Sequence, residues 1–409
     1  MTTIISLLGI ASLLLIGFVV SKYRSSINWR TIVVAFLLQF LIGAFALYFP
    51  FGKVVLESVS KTVSGTLAYA QNGIDFLFGS LGSSGSEHIG FVFAFQVLPI
   101  IIFFSSLVSV LYYIGIMGWV IRVIGGGLQA LLGTSRAESM SATANIFVSQ
   151  TEAPMVIKPF IGKMNNSELF AVMVGGMATV AGSVLAGYVA LGVEMKYLLA
   201  ASFMAAPGGF LMAKLLLPET EEIDNHEEVI KEEHEQYANV IDAAAGGASA
   251  GLQLAVNIGA MLIAFVALIA LLNGLLGWVG GWVGMPELSM QWVLGALFKP
   301  VAFMLGVPWS ESSIAGSLIG QKLVLNEFIA FVDFADQADQ LSAHSKAVIT
   351  FALCGFANFS SIAILLGGLA TIAPHRRSDV ARMGMRAVSA AFMANLMSAA
   401  IASFFLSLA

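Results

Sequence analysis

The chain is predicted to be an all-α polytopic membrane protein: eight transmembrane helices, two re-entrant helical hairpins, interfacial helices and an inverted repeat. Three observations predict this class. Of 409 residues, 58% are hydrophobic and only 11% charged, with a mean hydropathy of +0.90, whereas soluble domains carry about 25% charged residues. Several stretches reach the ~20 apolar residues that a spanning helix needs. Two polar clusters, Ser149-Gln150-Thr151-Glu152 and Asn326-Glu327, interrupt the two halves. Each precedes an apolar stretch broken at Thr179 or at Asn358-Phe359-Ser360-Ser361.

Residues 3–21 lack a basic lead-in and a small-residue cleavage site, so they are expected to be a retained first helix rather than a signal peptide. Residues 31–49 form the second span. Residues 51–81 carry Lys53, Glu57, Lys61 and Asp75 among apolar residues, as interfacial helices do. The third span is 90–114, and 119–132, with Arg122 and three glycines, is again interfacial in character. Residues 135–163 and 310–334 are too polar to span and too apolar for loops. Each reads as a re-entrant hairpin, whose non-helical tip is tolerated at membrane depth only inside protein or beside water. The remaining spans are 169–191, 197–217, 252–278, 346–372 and 383–408. The chain thus divides into a scaffold (1–134), a first repeat (135–217), a cytoplasmic acidic linker (218–251), a second scaffold segment with its connection (252–309) and a second repeat (310–409).

Gly175-Gly176-Met177-Ala178-Thr179 aligns with Cys354-Gly355-Phe356-Ala357-Asn358. Hairpin plus two spans follows hairpin plus two spans, and the second set starts from the opposite side. Lys and Arg fix the orientation. Lys22, Arg24, Arg30, Arg122, Arg136, Lys158, Lys163, Lys214, Lys231, Arg376, Arg377, Arg382 and Arg386 share one side if both termini are periplasmic. The acids concentrated in 219–235 then face the cytoplasm, which is tolerated because acids contribute little to topology.

Composition also excludes classes. No basic patch with interleaved aromatics suggests nucleic acid. Cys354 stands alone, so no intrachain disulfide forms, and the five histidines lack metal-ligand spacing. There is no catalytic triad, phosphate loop or HExxH pattern, so enzymatic activity is not expected.

A carboxylate at the centre of a membrane helix costs roughly 2.5–3.5 kcal/mol, so Glu152 and Glu327 need satisfied surroundings. Gln150, Thr151 and Glu152 offer an amide, a hydroxyl and a carboxylate suited to a neutral polar solute, or else a polar turn facing water. Pro154 keeps Ala153 out of helix. Asn326-Glu327 is a second such group or a helix-surface pair. Asn358 and Ser361 either free backbone groups at a helix break or bond a neighbouring helix, and Phe356 either stacks on a planar ring or packs. Asn145, Val148, Thr179 and Val180 supply oxygens of the kind sodium takes from unwound backbone; plain packing is the other reading. Polar groups in paired, interrupted segments at membrane depth are the pattern of secondary transporters. A membrane enzyme using Glu152 and Glu327 as acid and base, or a passive channel, would be the rivals.

Four words carry a resemblance: Gln150-Thr151-Glu152-Ala153-Pro154, Gly306-Val307-Pro308-Trp309, Asn326-Glu327-Phe328 and Gly355-Phe356-Ala357-Asn358-Phe359-Ser360-Ser361. In them, in order and over essentially its whole length, the chain resembles the concentrative nucleoside transporter family in its short bacterial form. The resemblance implies a homotrimer in the inner membrane, whose hairpins and broken fourth and seventh spans move like an elevator against a scaffold containing spans three and six. It implies that Gln150, Thr151 and Glu152, with Val184 and Phe356, surround the base of a nucleoside. Glu327, Asn358 and Ser361 would bind the ribose hydroxyls, and sodium would bind at Asn145, Val148, Thr179 and Val180. Val184 enters only through the resemblance. Ser149 replaces a glycine of many bacterial relatives and goes with the pyrimidine-preferring type, so uridine and cytidine are the expected substrates. Thr179 replaces a serine of some relatives and keeps the hydroxyl. Relatives that use protons lose the Asn-and-hydroxyl combination, so sodium is expected over protons as the coupling ion.

Overall fold

The computed structural model describes residues 2–82, 92–221, 237–282, 284–285 and 287–409; all regular elements among these are helical. The chain opens with α1 (Thr2–Val20), α2 (Trp29–Leu47), α3 (Pro50–Ala68), α4 (Ala70–Phe78), α5 (Phe93–Gln96), α6 (Leu98–Tyr113) and α7 (Ile116–Leu132). The first repeat follows as α8 (Arg136–Ala144), α9 (Lys158–Ile161), α10 (Asn166–Ala178), α11 (Gly182–Ala190) and α12 (Met195–Leu216). Next come α13 (Val240–Trp282) and α14 (Met290–Met304). The second repeat is α15 (Ser312–Val324), α16 (Glu327–Gln337), α17 (Ala343–Leu353), α18 (Ser360–Ile372) and α19 (Arg377–Leu406).

The scarce polar residues stand where helices begin. Asn28 accepts the amides of Arg30 and Thr31, Ser135 that of Glu138, Asn326 that of Ile329 and Ser342 that of Ser345. Asn165 and Glu168 form a reciprocal capping box on α10. Such caps satisfy N–H groups that a helix start leaves open, and at the buried Ser135 and Asn326 no bulk water could replace them.

Burial separates two layers. The spanning window is 100% buried across α10–α11, 89% in α12 and 83% in α19, against 11% in α13, 17% across α5–α6 and 28% in α1. Helices α10–α12 and α19 therefore form the interior, and α13 turns apolar side chains such as Ile263, Leu268 and Leu271 outward.

Seven helices among the described residues are long and apolar enough to cross a membrane. The expected span 346–372 is not one of them, because it is broken into α17 and α18 at 354–359. The structure departs from the sequence reading at α13, at α14 and at α19, which begins at Arg377 rather than at 383. Helix α13 begins at Val240, inside the expected linker. Its early residues are small because they lie close to α6: an ideal Cβ on Gly247 would sit 2.7 Å from the Ser105 carbonyl oxygen, and one on Gly251 2.8 Å from Ile102 Cα. Small residues permit such approach between membrane helices. Helix α14 was not anticipated as a separate element; it packs on α15 through Gly316 and Gly320. Most of the acidic run, residues 222–236, lies outside the described residues, as do the first two residues of the expected third span. Glu219 is described, and its carboxylate meets Lys214 Nζ at 3.0 Å.

Candidate functional site

The two repeats present the same local device. After α8 the chain turns through 145–152, and the Phe147 carbonyl accepts the amide of Gly182, 3.1 Å away, where the fourth span restarts. In the last turn of α15 the Leu323 carbonyl accepts the amide of Phe359 at 3.2 Å, where the seventh span restarts. Each hairpin tip is thus clamped to the break in the helix that follows it.

Glu327, the first residue of α16, is buried and doubly held. Tyr188 Oη donates to its Oε1 at 3.2 Å and Asn358 Nδ2 to its Oε2 at 3.1 Å. Asn358 Oδ1 faces the other way and accepts Ser361 N at 2.9 Å and Ser360 Oγ at 2.7 Å, which fixes the amide orientation. Ser361 Oγ donates to the Phe356 carbonyl at 2.6 Å and accepts from Gln150 Nε2 at 3.2 Å. Gln150 Oε1 is buried without a hydrogen-bond partner, an acceptor left open.

These groups surround a cavity of about 150 Å³. Of the residues expected to contact a solute, Gln150, Thr151, Val184, Glu327, Phe356, Asn358 and Ser361 line it. Glu152 does not. It is exposed, and its Oε2 accepts the Ser149 amide at 3.0 Å, closing the tip on itself. The opposite wall is Leu254, Ile258, Met261 and Leu262 of α13. Sequence reasoning missed this wall, because an apolar face inside an apolar helix carries no signal. It also missed Tyr188, whose hydroxyl in an apolar helix was such a signal.

The candidate cation residues lie in the turn after α8 and at the break between α10 and α11. Asn145, Thr179 and Val180 are fully or almost fully buried and Val148 nearly so. Neither Oδ1 nor Nδ2 of Asn145 has a hydrogen-bond partner among the described residues. The amide faces the glycine pair of α10, with Oδ1 3.7 Å from an ideal Cβ on Gly176. Thr179 Oγ1 donates to the Gly175 carbonyl at 2.9 Å and keeps its lone pairs. Val148 and Val180 lie outside helix, so no helical ladder claims their carbonyls. An orphaned amide oxygen, a hydroxyl and non-helical carbonyls suit a hard cation such as sodium.

Outside the spans, Glu311 stands at the start of α15, but its Oε2 accepts Ser342 N at 3.1 Å and Ser342 Oγ at 2.9 Å. Burial alone would raise this carboxyl; the hydrogen bonds from Ser345 and Ser342 outweigh it and hold the group below the usual carboxylate range.

A polar chamber closed by two hairpin tips and two broken helices, inside an otherwise apolar chain, defines a multi-pass membrane transporter. Its family follows from likeness to known proteins. The family models described as Na+ dependent nucleoside transporter N-terminus and C-terminus match residues 8–81 and 197–403, and the model described as nucleoside recognition matches 94–195. The chain belongs to the Na+-dependent nucleoside transporter family, whose members are transporters and not enzymes. It is 51% identical to nucleoside permease NupC of Helicobacter pylori over 100% of this chain and 99% of that one. It is 39% identical to sodium/nucleoside cotransporter 1 of Mus musculus, over 98% of this chain and 63% of the longer mouse protein. The solved structure of CNTnw in an inward-facing substrate-bound state superposes with a TM-score of 0.96 at 57% identity, covering 100% of this chain and 99% of that one. A variant of CNTnw in an outward-facing state gives 0.97 at the same identity, covering both chains fully.

Proposed function

We propose that the chain is a sodium-coupled nucleoside symporter of the bacterial inner membrane that imports pyrimidine nucleosides such as uridine. The observation that carries this reading is the convergence of Gln150, Glu327, Asn358 and Ser361 on one cavity, beside a buried Asn145 amide with no partner. Glu327 and Asn358 exchange one hydrogen bond, so a ribose diol inserted between them meets an acceptor and a donor already aligned. Ser361 completes the ribose side. Gln150, with its open Oε1, and Thr151 face the base, which Val184 and Phe356 pack. Glu152 joins them once its carboxylate leaves the Ser149 amide. Ser149 Oγ, 3.0 Å from Thr151 Oγ1, orients that hydroxyl and biases the site toward pyrimidines.

Sodium is the co-substrate, held by Asn145, Val148, Thr179 and Val180. Bound there, it fixes the tip that presents Gln150 and Thr151, so ion and nucleoside raise each other's affinity. Each charge moving down 100 mV yields roughly 2.3 kcal/mol, enough for substantial accumulation with one sodium per nucleoside. The two repeats, 135–217 and 310–409, form the moving body, and 1–134 with 252–309 form the scaffold of a homotrimer. With eight spans both termini lie on one side, and the Lys and Arg distribution favours the periplasm for that side. The outward- and inward-facing states of CNTnw support an elevator-like alternation.

Uptake of radiolabelled uridine into proteoliposomes, under imposed sodium and proton gradients in separate experiments, tests the reading. Accumulation driven by sodium alone is expected. Accumulation driven only by protons would make this a proton symporter, and uptake that never passes equilibrium would make it a channel.

A further inference from the structure

Lys322 is 0% exposed in the interior of the second repeat. Its ammonium is held by two neutral oxygens, the Ala352 carbonyl at 2.7 Å and Asn395 Oδ1 at 2.6 Å. Burying a charge without satisfying it is costly, so this arrangement needs a compensating role. The other end of Asn395 supplies one. Its Nδ2 donates to the Ala178 carbonyl at 2.6 Å and to the Cys354 carbonyl at 3.1 Å. Ala178 ends α10 and Cys354 caps α17, so both acceptors belong to helix C-termini, which lack ladder partners and carry partial negative charge. One side chain on α19 therefore grips the helix ends at both breaks.

Its neighbours lead directly to the two binding groups. Ala178 precedes Thr179, a candidate sodium ligand, whose carbonyl in turn accepts the Phe356 amide at 3.1 Å. Lys322 precedes Leu323, which holds the Phe359 amide beside Asn358. An ideal Cβ on Gly355 would overlap Asn395 Oδ1 and lie 2.7 Å from the Ala178 carbonyl oxygen, so the contact is built on a glycine.

We propose that Asn395, anchored by Lys322, is the positioning residue that links sodium occupancy in the first repeat to nucleoside affinity in the second. This rests on the sodium–nucleoside reading above. Asn395 touches neither ligand; its effect passes through the two helix ends.

The test is equilibrium binding of radiolabelled uridine to the purified full-length transporter, in sodium chloride and in choline chloride. Linked sites commonly raise each other's affinity by about 5- to 150-fold; a wild-type ratio in that range is expected. Asn395→Ala is expected to bring the ratio close to one, while sodium alone still raises the melting temperature as in the wild type. Asn395→Asp keeps the acceptor for Lys322, can no longer donate to Ala178 and Cys354, and is expected to lose the ratio as well; it serves if the alanine variant does not fold. A ratio retained by a folded variant overturns the linkage even if both affinities fall, because that is what a purely structural role would give. A wild-type ratio of one sinks the sodium reading, and the linkage with it.

Discussion

The carbonyl of Thr179 accepts the amide of Phe356 across 3.1 Å, so the helix break of one repeat is closed on the helix break of the other. Thr179 stands in the candidate cation group and Phe356 lines the solute cavity. The two candidate sites thus share a hydrogen bond of the main chain.

Glu327→Gln is expected to abolish uridine uptake while leaving the protein folded. The change turns one of two carboxylate acceptors into a donor, facing either Asn358 Nδ2 or Tyr188 Oη. An unmet buried donor costs about 1–3 kcal/mol, before any contact with the ribose is lost. Transport at the wild-type rate by this variant, with uptake measured in proteoliposomes, would refute the ribose assignment.

Asn145→Ala and Thr179→Ala are each expected to raise the sodium concentration for half-maximal uptake. A lost contact to a charge is worth about 1.5–3 kcal/mol, a rise on the order of 10- to 100-fold. Thr179→Ser keeps the hydroxyl and is expected to stay near the wild type. A sodium activation curve for each variant decides the matter, and an unchanged curve for Asn145→Ala removes it from the ion site.

Adenosine is expected to compete poorly with labelled uridine, and cytidine to compete well. Ser149→Gly frees Thr151 Oγ1 from its 3.0 Å neighbour and is expected to narrow the difference. Equal inhibition of the wild type by adenosine and cytidine would end the pyrimidine assignment.

Gly355→Ala is expected to lower folded yield and melting temperature. The added methyl overlaps Asn395 and the Ala178 carbonyl, and overpacking of a close-packed interior typically costs about 1–3 kcal/mol. Gly65→Ala, where nothing lies within 4 Å of an ideal Cβ, is the matched control. Equal melting curves for the two would show that Asn395 gives way to the added methyl without cost.

Glu311 offers a pH test. Its carboxyl is held below the usual range in the folded state, so its contribution to stability is complete above the unfolded value and fades as pH falls through the folded one. Glu311→Gln is therefore expected to lower stability at neutral pH and to flatten the acid side of the melting-temperature profile. A parallel, undiminished acid slope in the variant would assign that slope to other groups.

The apolar runs and the polar interruptions were legible in the sequence, because both follow from the cost of placing charge and unpaired backbone in hydrocarbon. They gave the helical class, the two polar turns at 149–152 and 326–327, and the polar side of the cavity lining, but not its apolar wall. The role of Glu152 was not legible: adjacency to Gln150 and Thr151 in the chain does not say which way a tip residue turns, and its carboxylate turns to Ser149. Asn395 and Lys322 were missed because their partners lie far off in sequence, at Ala178, Ala352 and Cys354. The start of α13 was misplaced because Ala and Gly at 243–251 lower hydropathy while they tighten packing on α6.

The chamber is asymmetric in composition. Every polar residue lining it comes from the two repeats, whereas α13 contributes only Leu254, Ile258, Met261 and Leu262. If the repeats slide past α13, a passenger keeps its full set of hydrogen bonds throughout the journey and exchanges only nonspecific grease-like contacts with the stationary wall.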